Sequence, residues 1–198
     1  MATRPLKLGV TGGMGSGKST VCRVFEVLGA PVFSADLCGR ELLDGDAGLK
    51  AAVAVRFGDA LYRTGTLDRK ALAEIVFDDE QALAELNALV HPRVIEAFNS
   101  WCDGQMAAYV VMESALMARS GSSHLMDHIA VVHAPQDERI RRVMQRDGSD
   151  ETQVRARMAQ QASDAELASL AGTIIDNSGA LLVVPQVLAL HQALLKGR

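Results

Sequence analysis

Aromatic residues are scarce in this chain: one Trp, two Tyr and five Phe make up 4% of its 198 residues. With Leu, Val and Ala plentiful instead, the balance favours helices packed on a parallel sheet over an aromatic-rich β-sandwich. Cysteine is equally sparse. Cys22, Cys38 and Cys102 are an odd, widely spaced set without a C-x-x-C pair, which argues against a disulfide framework or a zinc site and for reduced thiols. There is no excess of positive charge, because 20 Lys+Arg stand against 24 Asp+Glu for a net charge of −4. A general affinity for nucleic acid or for anionic membranes is therefore not expected, and any anion site must be local. No apolar run approaches the roughly 20 residues of a membrane span, and Met1 to Lys7 carries no signal-peptide core, so a soluble cytoplasmic protein is expected. What remains is 48% hydrophobic and 22% charged, enough for one substantial core in one domain or one domain with a small annex.

Leu6 to Thr11 is a short apolar run that ends in glycines, as a buried parallel strand does. Val21, Val24, Phe25 and Leu28 then recur at helical spacing, and Gly29 stands where a C-terminal cap is expected. Pro31 to Phe33 reads as a second strand, with Asp36 just beyond its carboxyl end. From Leu37 to about Met106 the pattern is that of a helical insert. Leu49, Val53 and Phe57 share a face, Asp68 is placed to cap a helix over Ala71 to Phe77, and helical spacing recurs at Leu83, Leu86 and Leu89. It returns at Val94, Phe98 and Trp101 after His91-Pro92. Strand signals resume at Tyr109 to Met112, Ile129 to His133 and Thr173 to Asp176. Five short strands separated by helices imply a parallel sheet with right-handed crossovers. Ser163 and Glu166 have the spacing of a capping box.

Between the first strand and the first helix lies Gly12-Gly13-Met14-Gly15-Ser16-Gly17-Lys18-Ser19, which satisfies G-x-x-x-x-G-K-S/T in the context a P-loop requires. Average residue frequencies give about a one per cent chance of those four fixed positions arising anywhere in such a chain. The chemistry explains the pattern. A polyphosphate is held by backbone N–H groups turned inward, and glycines permit both the angles and the close approach, while a helix N-terminus favours negative charge. Lys18 is then expected at the β/γ-phosphates and Ser19 on magnesium, with Met14 merely occupying loop space. A bare glycine turn capping a helix accounts for the glycines but leaves Lys18-Ser19 to coincidence.

A P-loop serves kinases, ATPases and switch GTPases alike. No guanine-reading N-K-x-D is present, so a nucleotide-gated binding protein lacks support, and another class of P-loop enzyme has to be weighed. A small-molecule kinase needs a carboxylate beside the acceptor hydroxyl and extra cations for the transferring phosphoryl group. Asp36, at the carboxyl edge of the sheet, fits the first role and fits equally an N-cap for a helix beginning near Leu37. Arg139, Arg142 and Arg146 fall on one helical face, away from Ile140, Val143 and Met144. A solvated surface and a phosphate-clamping lid both account for them. Glu113 suits the magnesium shell or the acceptor, and suits equally a solvent-facing strand end.

The whole chain resembles the dephospho-coenzyme A kinase family nearly end to end. The resemblance rests on Thr11 to Thr20, on Ala35-Asp36, and on Gly65-Thr66-Leu67-Asp68-Arg69 with Phe77. It rests further on Leu86-Asn87, His91-Pro92, Arg142, Arg146, Gln161 and Ile175-Asp176-Asn177-Ser178-Gly179. It implies an α/β, P-loop kinase-like three-layer fold: a five-stranded parallel sheet within 1–36 and 107–198, a helical acceptor insert over 37–106, and a helical lid at about 139–165. It also implies transfer of the ATP γ-phosphate to the ribose 3′-hydroxyl of dephospho-coenzyme A, with another small-molecule P-loop kinase as the nearest alternative. The substrates are then ATP with Mg2+ and dephospho-coenzyme A, without nucleic acid or membrane. On this resemblance Lys18, Asp36, Arg142 and Arg146 carry catalysis, Ser19 the metal, and Gly13, Met14, Gly15, Ser16, Gly17, Lys18, Ser19, Thr20 and Asn177 the nucleotide. Asp36, Arg69, His91 and Glu113 meet the acceptor. Asn177 is assigned the edge of the adenine pocket, although Asn-Ser-Gly is also good turn chemistry. The chain departs from many members at Ser34, where they carry an aspartate, and at Glu113, where the acid stands at the strand end rather than after a Pro-Leu-Leu segment.

Overall fold

The structure, a computed structural model, describes residues 4–77 and 79–197. Its strands are β1 (Leu6–Thr11), β2 (Val32–Ser34), β3 (Tyr109–Glu113), β4 (His128–His133) and β5 (Thr173–Asp176). They form one sheet in the order β2-β3-β1-β4-β5, parallel throughout. β1 is central. The chain crosses to one side of it for β2 and β3 and to the other for β4 and β5, and open parallel sheets bind ligands at the carboxyl ends of strands flanking such a switch. The second strand runs one residue further than the apolar pattern predicts, because Ser34 takes a ladder position opposite Glu113.

By its contacts the chain divides into two compact units, one of Met1–Ser34 with Cys102–Arg198, the other of Ala35–Trp101. In the first, Leu8 and Val10 of β1 turn to one face of the sheet. There they are buried with Val21, Cys22 and Phe25 of α1 (Lys18–Val27) and with Val187 and Leu190 of α9 (Val183–Lys196). Phe25, with no exposed surface, contributes about 2–3 kcal/mol by that burial. Gly9 turns to the opposite face, where a side chain would meet Met117 Sδ at 2.6 Å and Met126 Cγ at 2.9 Å.

Three further helices complete this unit: α6 (Gln136–Asp147), α7 (Glu151–Ala159) and α8 (Asp164–Leu170). Asp150 caps α7 through the Gln153 N–H, and Ser163 with Glu166 forms the reciprocal capping box that the spacing predicts. Ile140, Val143 and Val154 form a small core between α6 and α7, and Met14 packs against it. Met14 is thus an apolar anchor for the glycine loop rather than a space-filler, because an unbranched thioether adapts to an irregular gap.

The second unit comprises α2 (Ala35–Gly45), α3 (Ala47–Phe57), a 3-10 turn at Asp59–Tyr62, α4 (Arg69–Val76) and most of α5 (Glu80–Asp103). Leu49, Val53, Leu61, Leu67 and Leu72 make its core. Asp46 and Asp68 cap α3 and α4, accepting the N–H groups of Leu49 at 2.6 Å and Ala71 at 3.0 Å, each cap worth about 1 kcal/mol. The two stretches of helical spacing before and after His91-Pro92 belong to one helix, since α5 runs straight through Pro92. Proline removes one helical hydrogen bond, but apolar residues on both sides of it are held: Leu86, Leu89 and Val90 pack on the core, and Val94 and Phe98 are buried. Gly39 helps by bringing α2 against Val90 and Val94. Among the described residues no helix is long and apolar enough to cross a membrane.

Candidate active site

β1 ends at the buried Thr11, and the next six residues turn the chain into α1. Gly15 and Gly17 take φ of +77° and +96°, angles that an L side chain rarely adopts. At Gly17 a Cβ would also collide with Asn177 Nδ2. The loop's carbonyl oxygens are bonded by protein donors. Lys18 Nζ donates to Gly12 and Gly13 at 3.0 and 3.2 Å, Arg142 Nη1 to Gly15 at 3.4 Å, and Asn177 Nδ2 to Ser16 at 2.8 Å. With acceptors tied to cations and amides, the loop suits an anion at its N–H groups and at the N-terminus of α1, whose first turn carries no acid. Two hydroxyls fit the same reading, since the buried Oγ1 of Thr11 and Oγ of Ser16 have no hydrogen-bond partner among the described residues.

Ser19 Oγ donates to Glu113 Oε1 at 2.9 Å. Glu113 closes β3 opposite both Val10 and Ser34, so the ladder itself delivers its carboxylate to the start of α1. A hydroxyl and a carboxylate are hard oxygen donors of the kind Mg2+ takes, and that ion commonly completes its shell with substrate phosphates and water. The donor set fits magnesium on those terms. Among the described residues no cluster of three His, Cys, Asp or Glu is built to hold a metal alone. Beneath Ser19, Cys22 is buried, and burial together with the charge of Glu113 pushes its thiol up, which keeps it unreactive.

Arg142 and Asn177 bind each other as well as the loop. Arg142 Nη2 donates to the Asn177 carbonyl at 2.9 Å and Nε to Glu138 at 2.9 Å. Hydrogen bonds from Arg141 and the charges of Arg141 and Arg142 hold the Glu138 carboxyl below the usual range. Asn177 is fixed at the end of β5 by its N–H on the His133 carbonyl at 2.8 Å. Next to it, Asp176 accepts the Ser178 N–H at 2.8 Å, which lowers its pKa.

Lys18, Ser19, Glu113, Arg142, Asn177 and the loop glycines are thus brought together, and Met14 and Thr20 flank them. Arg146 is not: it is exposed and pairs with its neighbour Asp147 at 2.7 Å, which Arg157 also reaches at 3.4 Å. The three arginines of α6 therefore form a gradient, with Arg139 buried, Arg142 half-buried and Arg146 exposed. The face is neither uniformly solvated nor uniformly turned to the loop, because the loop lies against only the first two turns of the helix.

Asp36, Arg69 and His91 belong to the helical unit. Asp36 is exposed in the first turn of α2, not before it, so it is no N-cap: the helix starts directly from β2, two residues earlier than the pattern suggests. Arg69 donates to the Arg40 carbonyl at 3.0 Å and to Asp44 at 2.6 Å, while Asp44 also accepts the Leu67 N–H at 3.0 Å. Chiefly that N–H, then Arg69, holds the Asp44 carboxyl below its usual value. His91 is half-buried, and desolvation lowers its pKa, favouring the neutral ring.

Two residues of the loop's surroundings, Arg139 and Gln161, are singled out by the sequence but not as contacts of the loop itself. Arg139, in contact with Gly13 and Gly15, carries one signal, its position three residues before Arg142 on the same face. Gln161, which accepts the Met14 N–H at 2.7 Å, carries none locally, since its partner is 147 residues away.

Residues 6–182 match the family model described as dephospho-CoA kinase. The dephospho-CoA kinase of Salinibacter ruber is 42% identical over 178 residues, covering 88% of this chain and 89% of that one. That of Thermobifida fusca is 42% identical over 176 residues, 88% of each chain. Among solved structures, a Thermus thermophilus protein of 32% identity superposes with a TM-score of 0.86, and the dephospho-CoA kinase from Campylobacter jejuni, 27% identical, with 0.69. Each comparison covers 96% of this chain and 98% of the other.

Proposed function

The chain belongs to the dephospho-CoA kinase family, and from that premise we propose that it moves the γ-phosphate of ATP onto the ribose 3′-hydroxyl of dephospho-CoA, making CoA and ADP. The observation that carries the reading is the bonding of the loop carbonyls of Gly12, Gly13, Gly15 and Ser16 by Lys18, Arg142 and Asn177. It supports a loop whose N–H groups face a polyphosphate.

Loop N–H groups and the α1 dipole bind and orient the phosphate chain. Lys18 and Arg142 hold positive charge beside the phosphoryl oxygens, where charge redistributes in a loose transition state. Ser19 and Glu113 are the residues to hold Mg2+, which when bound neutralises charge on the β- and γ-oxygens. Asp36 accepts the proton of the 3′-hydroxyl and orients its oxygen for in-line attack. Arg69, held by Asp44, presents a cation for an acceptor phosphate, and His91 stays neutral as a hydrogen-bonding group. Arg146, on the exposed end of α6, contributes a remote cation. Asn177 meets the adenine edge while keeping its bonds to the loop. The test is incubation with Mg-ATP and a panel of dephospho-CoA, adenosine, nucleoside monophosphates and shikimate. CoA as the main phosphorylated product is expected. Selective phosphorylation of another acceptor, or phosphate release with none, overturns the assignment.

A further inference from the structure

Residues 160–163 join α7 to α8, and this short connection, with Asp164 at the start of α8, is fastened to the phosphate loop. Gln161 Oε1 accepts the Met14 N–H at 2.7 Å. Arg139 donates from Nη2 to both carboxylate oxygens of Asp164, each at 3.0 Å. Arg119 donates to the carbonyls of Gln160 and Gln161 at 2.5 and 2.9 Å, so the peptide that carries Gln161 is itself held.

Arg139 is the unusual member. Its side chain is only 9% exposed, against 54% for Asp164, and its Nε has no partner among the described residues. Removing a guanidinium from water is costly even when it is paired, so such a pair is weak evidence for a stability role. What the pair does is fix where the guanidinium lies. A Cβ at Gly13 would collide with Arg139 Nη1, and a Cβ at Gly15 with the Arg139 carbonyl. The Arg139 side chain therefore lies against Gly13 and its main chain against Gly15, and the Met14 side chain between them packs on the α6–α7 core. Gly13 to Gly15 is gripped at its glycine faces, at one N–H and at its one side chain.

A glycine-rich loop loses more conformational freedom on ordering than any other, and a ligand that must impose the order loses affinity accordingly. We infer that Arg139 and Gln161 are positioning residues for the phosphate loop, ordering Gly13 to Gly15 before the nucleotide arrives and so setting its affinity. This rests on the reading that the loop binds ATP. Neither residue acts on the phosphates: Gln161 takes the Met14 N–H, and the Arg139 side chain works through Gly13, against which it lies.

The test compares Arg139→Met and Gln161→Met with the parent protein. Arg139→Met keeps an unbranched apolar stem but removes the guanidinium, leaving Asp164 solvated, and Gln161→Met removes the side-chain amide, the Met14 acceptor included, at nearly unchanged volume. Mg-ATP affinity is measured by calorimetry, KM for each substrate by steady-state kinetics, and folding by a thermal melt. Each variant is expected to raise the ATP Kd and KM about tenfold, the size of one lost buried hydrogen bond, with KM for dephospho-CoA within about twofold. Arg139→Lys, which keeps a cation for Asp164, is expected to recover part of the loss. ATP binding unchanged in both Met variants overturns the inference, as does a rise in both KM values that tracks a lowered melt. Should Arg139→Met fail to fold, Gln161→Met decides. A parent that binds ATP but makes no CoA overturns the assigned function instead and leaves this test standing.

Discussion

Around the phosphate loop, charged and amide side chains are turned onto main-chain atoms: Lys18, Arg142 and Asn177 onto loop carbonyls and Gln161 onto a loop N–H. In the helical unit they are turned onto one another, onto helix ends and onto the unit's own turns, as Lys50 is onto the Gly65 carbonyl. Arg56 pairs with Glu85 and Arg69 with Asp44, while Asp46 and Asp68 cap helices. The first arrangement shapes a backbone surface, and a surface of N–H groups states its ligand's charge by itself. The second holds a scaffold together, and the chemistry assigned to it rests on a few residues at its ends, above all Asp36.

Lys18→Ala tests the first region most severely. Turnover is expected to fall by a hundredfold to a thousandfold, as when a charge-stabilising donor is lost, while the thermal melt stays near the parent's because Lys18 packs into no core. Near-normal activity in a folded variant would remove the loop from the mechanism and erase the distinction between the regions.

Asp36→Asn puts the matching question to the helical unit. Since Asp36 lies within the first turn of α2 and is not its cap, the substitution loses only a favourable charge near the helix N-terminus. ATP affinity is expected to stay intact, with phosphoryl transfer slowed by about a hundredfold if the carboxylate takes the proton. A smaller loss fits an orienting role. Unchanged kinetics with dephospho-CoA would leave Glu113 or no base at all.

Arg142→Ala and Arg146→Ala sharpen the comparison inside one helix. Arg142 touches the loop and Asn177, whereas Arg146 pairs with Asp147. Arg142→Ala is expected to slow turnover by one to two orders of magnitude and Arg146→Ala by less than about tenfold. Equal effects would show that the exposed end of α6 also reaches the substrate.

The smallest effect concerns scaffold alone. The folded-state pKa of Asp44 is depressed, by the Leu67 N–H and then Arg69, so its ionised form contributes stability that is present above the unfolded pKa of about 3.9 and is lost as pH falls through the folded value. Asp44→Asn is expected to lower the melting temperature by a few degrees at neutral pH. The gap to the parent should close as the pH drops below the ordinary carboxylate range. A gap that persists in acid would assign the stability to shape rather than charge.

Legibility differed between the regions for physical reasons. The loop, the strands flanking it and the Ser163 capping box are local patterns, so residue type and spacing sufficed. The spacing on either side of Pro92 reads as two stretches because proline punctuates an isolated helix, whereas burial of Val94 and Phe98 carries α5 past it. Asp36 misled because α2 begins without a linker after β2, which no local signal marks. Gln161 and the burial of Arg139 were illegible as loop contacts because they exist only once α6 and the α7–α8 connection are folded against the glycine loop.

Transfer of one phosphoryl group from ATP to one hydroxyl is the reaction to follow. It is tested most directly by turnover with ATP labelled at the γ-phosphorus, followed by locating the label in the purified product. One labelled CoA per ADP is expected, with all label in the 3′-phosphate. Label in free phosphate, or at any other position of the acceptor, would contradict it.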